Sequence, residues 1–161
     1  MKTLVDHLAG YAACHRDTRN IAPHFIGIPM IVLAVATLLG RPAFGVPGLT
    51  PAVVACALAT LFYLRLSIVF GVAMAVILAG FVHAGAWLAA LPTESWLASG
   101  IGLFVAGWVI QFIGHYYEGR KPAFVDDLVG LLVGPLFLVA EVAFALGLAR
   151  RTHAELLAHS H

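Results

Sequence analysis

Charged residues are scarce in this chain: they make up 11% of its 161 residues, against about 25% in soluble globular proteins. Hydrophobic residues make up 61% of the chain, and the mean hydropathy is +0.96. This composition excludes an ordinary soluble domain and predicts a protein of the lipid bilayer. Cysteine is also scarce. Cys14 and Cys56 are too few and too far apart for a disulfide framework or a CxxC metal site.

Basic runs and the pattern of a cleaved leader are missing as well. The formal net charge is +1, and no run of Lys and Arg forms a stripe that could follow a phosphate backbone. We therefore expect no nucleic acid as a partner. Residues 2–20 carry charged side chains where a signal peptide would have its apolar core, so no cleaved signal peptide is expected.

Long apolar stretches account for most of the chain. Five can be marked, at residues 25–40, 51–64, 66–91, 97–114 and 124–149. A membrane span takes about 20 apolar residues, or as few as roughly 17. Gly and Pro separate most of the stretches, but the boundary at Arg65 contains neither, which leaves a tight hairpin or a charge within one helix. The sequence predicts an all-α, polytopic transmembrane helical bundle of four to five spans.

Nearly all the polar chemistry lies in two short segments, residues 15–24 and 111–123. They contain three histidines, an asparagine and a glutamate: His15, His24, His115, Asn20 and Glu118. With five spans, four crossings separate the two segments, so we expect both at the same membrane face. The positive-inside rule places that face in the cytoplasm, although Arg150 and Arg151 contradict the rule.

The simplest organisation is one multi-pass membrane domain with three parts. They are an interfacial segment, a helical bundle and a polar tail, at residues 1–22, 23–149 and 150–161. The interfacial segment has apolar residues at helical spacing. Pro23 disfavours helical geometry before it and suits the first turn of a new helix, so we expect an interfacial helix to end near Asn20 and the first span to begin near His24.

The spacing of His115 and Glu118 indicates a metal site. Residues three apart share a helix face, and this spacing offers an imidazole and a carboxylate to one ion. Such ligands suit non-haem Fe(II), Zn or Mn. Because ionisable residues in or beside spans are costly, three histidines, an asparagine and a carboxylate at one face point to function.

A wider set of residues carries a family resemblance. It comprises His15-x4-Asn20-x3-His24-x4-Pro29, Gly107-Trp108-x2-Gln111-Phe112-x-Gly114-His115, Glu118, Arg120, Pro122-Ala123, Asp126, Gly134-Pro135 and Glu141. With this pattern the chain resembles a family of small multispanning membrane proteins, the Fe(II)-dependent 2-hydroxy fatty acid dioxygenases. The likeness runs from about Tyr11 to Gly147 and is specific in the two polar segments.

The resemblance implies α-oxidation: a long-chain 2-hydroxy fatty acid and O2 give CO2 and a fatty acid one carbon shorter. It implies Fe(II) as the cofactor, held by His15, His24 and His115, with Glu118 as a further metal ligand. The substrate supplies the electrons, so no 2-oxoglutarate is needed. The apolar helices would house the acyl tail.

Four further residues are candidates for catalytic roles, and some of them also have a non-catalytic interpretation. Asn20 would hold a ligand imidazole or a bound oxygen in place. Arg120 and Lys121 would pair with the substrate carboxylate, unless they only anchor the chain at the membrane surface. Glu141 would reach the site only if the last apolar stretch breaks at Gly134-Pro135. The fourth iron ligand is Glu118, Glu141, another histidine or water.

A non-enzymatic carrier of metal ions or protons is the competing interpretation. Glu141 and His83, both within apolar stretches, would then be relay residues. The carrier predicts that Glu141→Gln and His83→Ala are the severe substitutions. The dioxygenase predicts instead that loss of any of the three motif histidines abolishes activity and that His83→Ala is tolerated.

Overall fold

The computed structural model describes residues 2–13, 15, 18–119 and 129–159. Within these ranges the chain forms helices and no strands, which confirms the all-α class. The seven helices are α1 (Leu4–Ala12), α2 (Thr18–Gly40), α3 (Pro51–Leu66), α4 (Ile68–Ala89), α5 (Thr93–Glu118), α6 (Gly130–Ala145) and α7 (Arg150–His159).

Three helices are long and apolar enough to cross a membrane: α2 over Arg19–Gly40, α4 and α5. Helices α6 and α7 pass the same test together but are bent by 114° at the break between them. Helix α3 is apolar but has only 16 residues. By length and composition, the described residues thus provide three candidate spans, or four if the bent pair counts as one, in rough agreement with the expected four to five.

The boundary near Arg65 is a tight hairpin. Ser67 adopts an extended backbone (φ −163°, ψ 131°) that ends α3, and its Oγ accepts a hydrogen bond from the Phe70 N–H at 3.4 Å, which caps α4. A Cβ on Gly71 would lie 2.6 Å from the Cα of Leu64. Glycine at this position therefore lets the two helices approach closely after the turn.

Helix α6 does not break at Gly134-Pro135. Pro135 lies inside the helix, where it removes one hydrogen bond without ending it. The end comes at Gly147, whose φ of 72° is left-handed. The Leu148 N–H donates to the Ala143 carbonyl at 2.8 Å, and the Gly147 N–H donates to the Phe144 carbonyl at 2.9 Å, a Schellman motif.

The start of α2 also differs from the expectation. The first helix ends at Ala12, and α2 begins at Thr18 and continues through Pro23. Pro23 removes a single hydrogen bond near the start of a long apolar helix, which is too little to end it. As a result, Asn20 and His24 lie one turn apart on the same helix.

The chain divides into two compact units. We call residues 1–25 with 111–161 the terminal unit, and residues 26–110 the central unit. In the terminal unit α1 packs against α6 and α7, with Leu8 and Leu156 buried. In the central unit α3 packs against α4.

Candidate metal centre

Three histidines meet inside the terminal unit. His24 lies on α2, His115 lies near the end of α5, and His15 precedes α2. Their side chains are buried, with 3%, 2% and 6% of the surface exposed for His15, His24 and His115. One ring nitrogen from each lies within 4.8 Å of the others. The two polar segments therefore meet, as the sequence predicted.

Two of the rings are oriented by backbone carbonyls. Nδ1 of His15 donates to the Tyr11 carbonyl, and Nδ1 of His24 donates to the Asn20 carbonyl, both at 2.7 Å. A carbonyl only accepts, so each Nδ1 carries the hydrogen, and Nε2 of each neutral ring presents a lone pair. Orientation of this kind is typical of metal-ligating histidines.

The two lone pairs face each other. Nε2 of His15 lies 2.9 Å from Nε2 of His24. Two bare acceptors at this distance repel unless a cation lies between or beside them. The donor set of three converging imidazoles thus fits a transition-metal ion, and the orphaned pair of acceptors shows where it would bind.

The protonation state of His15 agrees with ligation. Burial lowers its pKa, while its hydrogen bond to the Tyr11 carbonyl and the negative charge of Glu118 oppose the shift. The net effect keeps the imidazole neutral at pH 7, and a neutral imidazole is the form that binds metal.

Aromatic packing holds the His15 ring. The ring of Tyr11 stacks on it with centroids 4.1 Å apart and an interplanar angle of 6°. Phe137 of α6 lies behind, 5.0 Å from the Tyr11 ring. Sequence reasoning gave Tyr11 no role at the site. The available signal was its spacing, because Tyr11 precedes His15 by four residues, as Asn20 precedes His24.

A glycine brings Asn20 and α5 together. A Cβ on Gly114 would lie 2.6 Å from Oδ1 of Asn20 and 3.2 Å from its carbonyl oxygen. The Asn20 Nδ2 donates to Oε2 of Glu118 at 3.2 Å. The Asn20 side chain thus contacts Glu118, while its backbone orients His24. Glu118 is half-buried and lies outside the three-histidine group.

A second amide lies one turn before His115 on α5. Gln111 is the chain's one glutamine and Asn20 its one asparagine. Both are buried, with exposed fractions of 4% and 0%. The sequence pattern included Gln111 but assigned it no function; its signal was a lone amide four residues from a candidate ligand.

The remaining predicted site residues are Arg120, Lys121 and Glu141. Arg120 and Lys121 fall outside the described residues. Glu141 is half-buried on α6 and interacts electrostatically with His153 of α7. Because α6 continues through Pro135, the break that would have returned Glu141 to the site does not occur.

His83, the second residue of the carrier interpretation, is exposed on α4. Its ring lies 6.2 Å from that of Trp87. It belongs to the central unit, whereas the three clustered histidines belong to the terminal unit. This location supplies a matched histidine for experiments on the cluster.

Comparisons with known proteins agree with the geometry. The family described as 2-hydroxy-palmitic acid dioxygenase Mpo1-like matches residues 1–146. The 2-hydroxy-palmitic acid dioxygenase MPO1 of Saccharomyces cerevisiae is 31% identical over 157 residues, which cover 95% of this chain and 87% of the yeast protein. No solved structure matches the chain. The resemblance inferred from the two polar segments is confirmed, and the chain belongs to the Mpo1-like family of 2-hydroxy-palmitic acid dioxygenases.

Proposed function

We propose that the protein is an Fe(II)-dependent dioxygenase that cleaves long-chain 2-hydroxy fatty acids by α-oxidation. Family membership supports an oxidoreductase that acts on 2-hydroxy fatty acids. The observation that carries the proposal is the buried cluster of His15, His24 and His115, whose ligand atoms lie within 4.8 Å of one another. Three imidazoles leave coordination positions open on a six-coordinate ion, as oxygen-activating iron sites require.

The reaction balances without a further reductant. A 2-hydroxy acid, R–CH(OH)–COOH, and O2 give R–COOH, CO2 and water. The bond between C1 and C2 breaks, C1 leaves as CO2, and C2 is oxidised from an alcohol to a carboxylic acid. The bound Fe(II) would supply the binding of O2 and of the substrate oxygens.

The protein residues would orient ligands and substrate. The Tyr11 and Asn20 carbonyls hold the His15 and His24 rings so that Nε2 of each faces the metal position. Glu118 places a negative charge near the cluster, which favours a cation. As a fourth ligand, Glu118 would exchange its hydrogen bond with Asn20 for the metal.

The substrate carboxylate needs a cationic partner. We assign this role to Arg120 and Lys121, which follow Glu118 closely in the sequence. The guanidinium fork of Arg matches two carboxylate oxygens and gives the stronger pairing. Glu141 receives no catalytic role here because its electrostatic partner is His153.

The test is turnover with purified protein. Protein is prepared anaerobically in detergent and then receives Fe(II), a long-chain 2-hydroxy fatty acid and O2. The uptake of O2 is followed, and the mass of the acid product is determined by mass spectrometry. We expect equimolar O2 loss and a product one carbon shorter. His115→Ala should abolish both, and His83→Ala, which changes an exposed histidine of the central unit, should retain both.

Two outcomes would contradict the proposal. One is no turnover by protein with iron demonstrably bound. The other is the pattern of a carrier, in which Glu141→Gln and His83→Ala are the severe substitutions while His115→Ala is tolerated.

A further inference from the structure

The carbonyl oxygen of the Gln111 side chain is buried without a visible partner. Its Oε1 has no hydrogen bond to any residue in the described part of the chain. The whole side chain is 4% exposed. A buried acceptor without a donor destabilises a fold, and a membrane interior offers little water to compensate it. Such a group in a native protein calls for a ligand.

Gln111 lies one helical turn before His115, a member of the three-histidine cluster. It precedes His115 by four residues on α5, so the two side chains share one face of the helix. Helical side chains lean towards the N-terminus of their helix, which brings the His115 ring over the turn that carries Gln111. Glu118 and Asn20 lie towards the end of α5, whereas Gln111 lies on the opposite side of His115, towards the apolar length of the helix.

The unsatisfied atom is an acceptor, which restricts its partner. A fatty acid carboxylate and O2 have no hydrogen to donate. The 2-hydroxyl of a 2-hydroxy fatty acid has one, and it lies between the carboxylate and the acyl chain. With the carboxylate at the cluster and the chain among the apolar helices, the hydroxyl would fall beside Gln111.

We propose that Oε1 of Gln111 accepts a hydrogen bond from the substrate 2-hydroxyl and so selects 2-hydroxy fatty acids over unsubstituted ones. This inference rests on the proposed function, because it takes the substrate class from it. A site with a buried group that expects a hydroxyl rejects the analogue lacking one, since that analogue leaves the group unpaired. Gln111 is thus a specificity-determining residue.

Binding without turnover tests the inference. Protein loaded with Fe(II) in the absence of O2 is titrated with a long-chain 2-hydroxy fatty acid and, separately, with the unsubstituted acid of the same length. The ratio of the two dissociation constants measures the preference for the hydroxyl. Gln111→Met, which is similar in size and lacks the amide, should lower this ratio by about 5- to 100-fold.

Two further variants isolate the acceptor. Gln111→Glu keeps an oxygen at this position and should keep the preference, even where its charge weakens the binding of both acids. Phe112→Met places the same new side chain at the next, exposed position and should leave the ratio unchanged. Metal content and thermal melting show that each variant is folded.

The outcomes separate this inference from the proposed function. If Gln111→Met keeps the wild-type ratio, or weakens both acids equally, Gln111 is structural or satisfied by water and the inference fails. If the wild type binds with the expected preference but produces no shortened acid with O2, the proposed function fails while the binding role stands. A wild type that does not prefer the hydroxy acid overturns the inference directly.

Discussion

The two compact units differ in what they bury. Among its described residues, the terminal unit buries five polar side chains: His15, Asn20, His24, Gln111 and His115. Among the described residues of the central unit, Thr37 and Tyr63 bury hydroxyl groups, and Oγ1 of Thr37 donates to the Leu33 carbonyl one turn earlier at 2.8 Å. One unit therefore concentrates buried imidazole and amide groups, whereas the described part of the other buries hydroxyl groups.

The central unit depends instead on close backbone approach. A Cβ on Gly85 would lie 2.7 Å from the carbonyl carbon of Ala36, and one on Gly107 would lie 2.7 Å from Cγ1 of Ile31. Small residues at contacts of this kind are typical of helices that pack in membranes, where no hydrophobic effect drives them together. The central unit thus has the contacts of a packed scaffold, and the candidate metal ligands lie in the terminal unit.

Substitution of a ligand should have the largest effect. His15→Gln and His24→Gln each remove an imidazole nitrogen, and we expect metal affinity to fall by more than about 100-fold, since even groups behind the ligands are worth 10–100-fold. Competition with a chelator measures the affinity. Thr37→Val, at a buried polar position of the central unit, should leave the metal affinity unchanged. If this variant lost as much metal affinity as the histidine variants, the two units would not differ in their contribution to metal binding.

The next largest loss of metal affinity should result from a methyl group at position 114. Gly114→Ala would push the new Cβ against Oδ1 and the carbonyl oxygen of Asn20, the group that orients His24. We expect metal affinity to fall by about 10-fold, within the range for groups that orient ligands. The chelator assay reports it, and an unchanged affinity would show that α2 shifts without moving His24.

A glycine-to-alanine substitution in the central unit should instead lower the stability of the fold and leave the metal affinity unchanged. Gly85→Ala meets the backbone of Ala36 and should destabilise the fold by about 1–3 kcal/mol. Thermal melting in detergent measures this loss. Metal affinity of the folded fraction should stay at the wild-type value, and a fall similar to that of Gly114→Ala would contradict the assignment of roles.

The Tyr11 ring should contribute less than a ligand. Tyr11→Leu removes the stack on His15, and because aromatic pairs are worth about 0.5–1.5 kcal/mol, metal affinity should fall about 2- to 10-fold. Tyr11→Phe keeps the ring and should restore most of the affinity. If both variants lose equally, the phenol hydroxyl and not the stack is responsible.

The smallest effect should be at the start of α1. The Thr3 backbone N–H and hydroxyl donate to Asp6 and lower the pKa of its carboxyl. A depressed pKa stabilises the fold at pH values above the unfolded pKa, and this contribution disappears as the pH falls through the folded pKa. Asp6→Asn should therefore lower the melting temperature at pH 7, and this difference should shrink as the pH falls below the ordinary carboxyl pKa of 3.8. A difference that stays constant with pH would exclude the carboxylate as its cause.

The sequence predicted the parts of the site that depend on local spacing. Helical periodicity predicted that His115 and Glu118 share a helix face. The number of membrane crossings predicted that the two polar segments meet. The start of α2 was not predicted, because a proline near the start of a long apolar helix costs too little to break it. The hairpin at Ser67 has no Gly or Pro at the turn itself, so only capping could reveal it.

The contacts of individual residues between distant segments were beyond the sequence. That Gly114 admits Asn20 depends on how α2 and α5 are placed in three dimensions. The heptad spacing of Gly100, Gly107 and Gly114 was visible, but spacing alone does not show that the first two contact apolar side chains and the third a polar one. The cytoplasmic location of the motif face stays a prediction.

The packing of α1 against α6 and α7 has a consequence for biosynthesis. The carbonyl and ring that hold His15 belong to Tyr11 on α1, which is synthesised before the other described helices, yet the surface on which α1 rests is made after α5. Chains emerge from the N-terminus, so α1 must wait through the synthesis of every intervening span. Metal loading should thus occur late in the biosynthesis of each molecule. A chain whose synthesis stops before α6 should have His24 and His115 in place, but His15 would not be held in position.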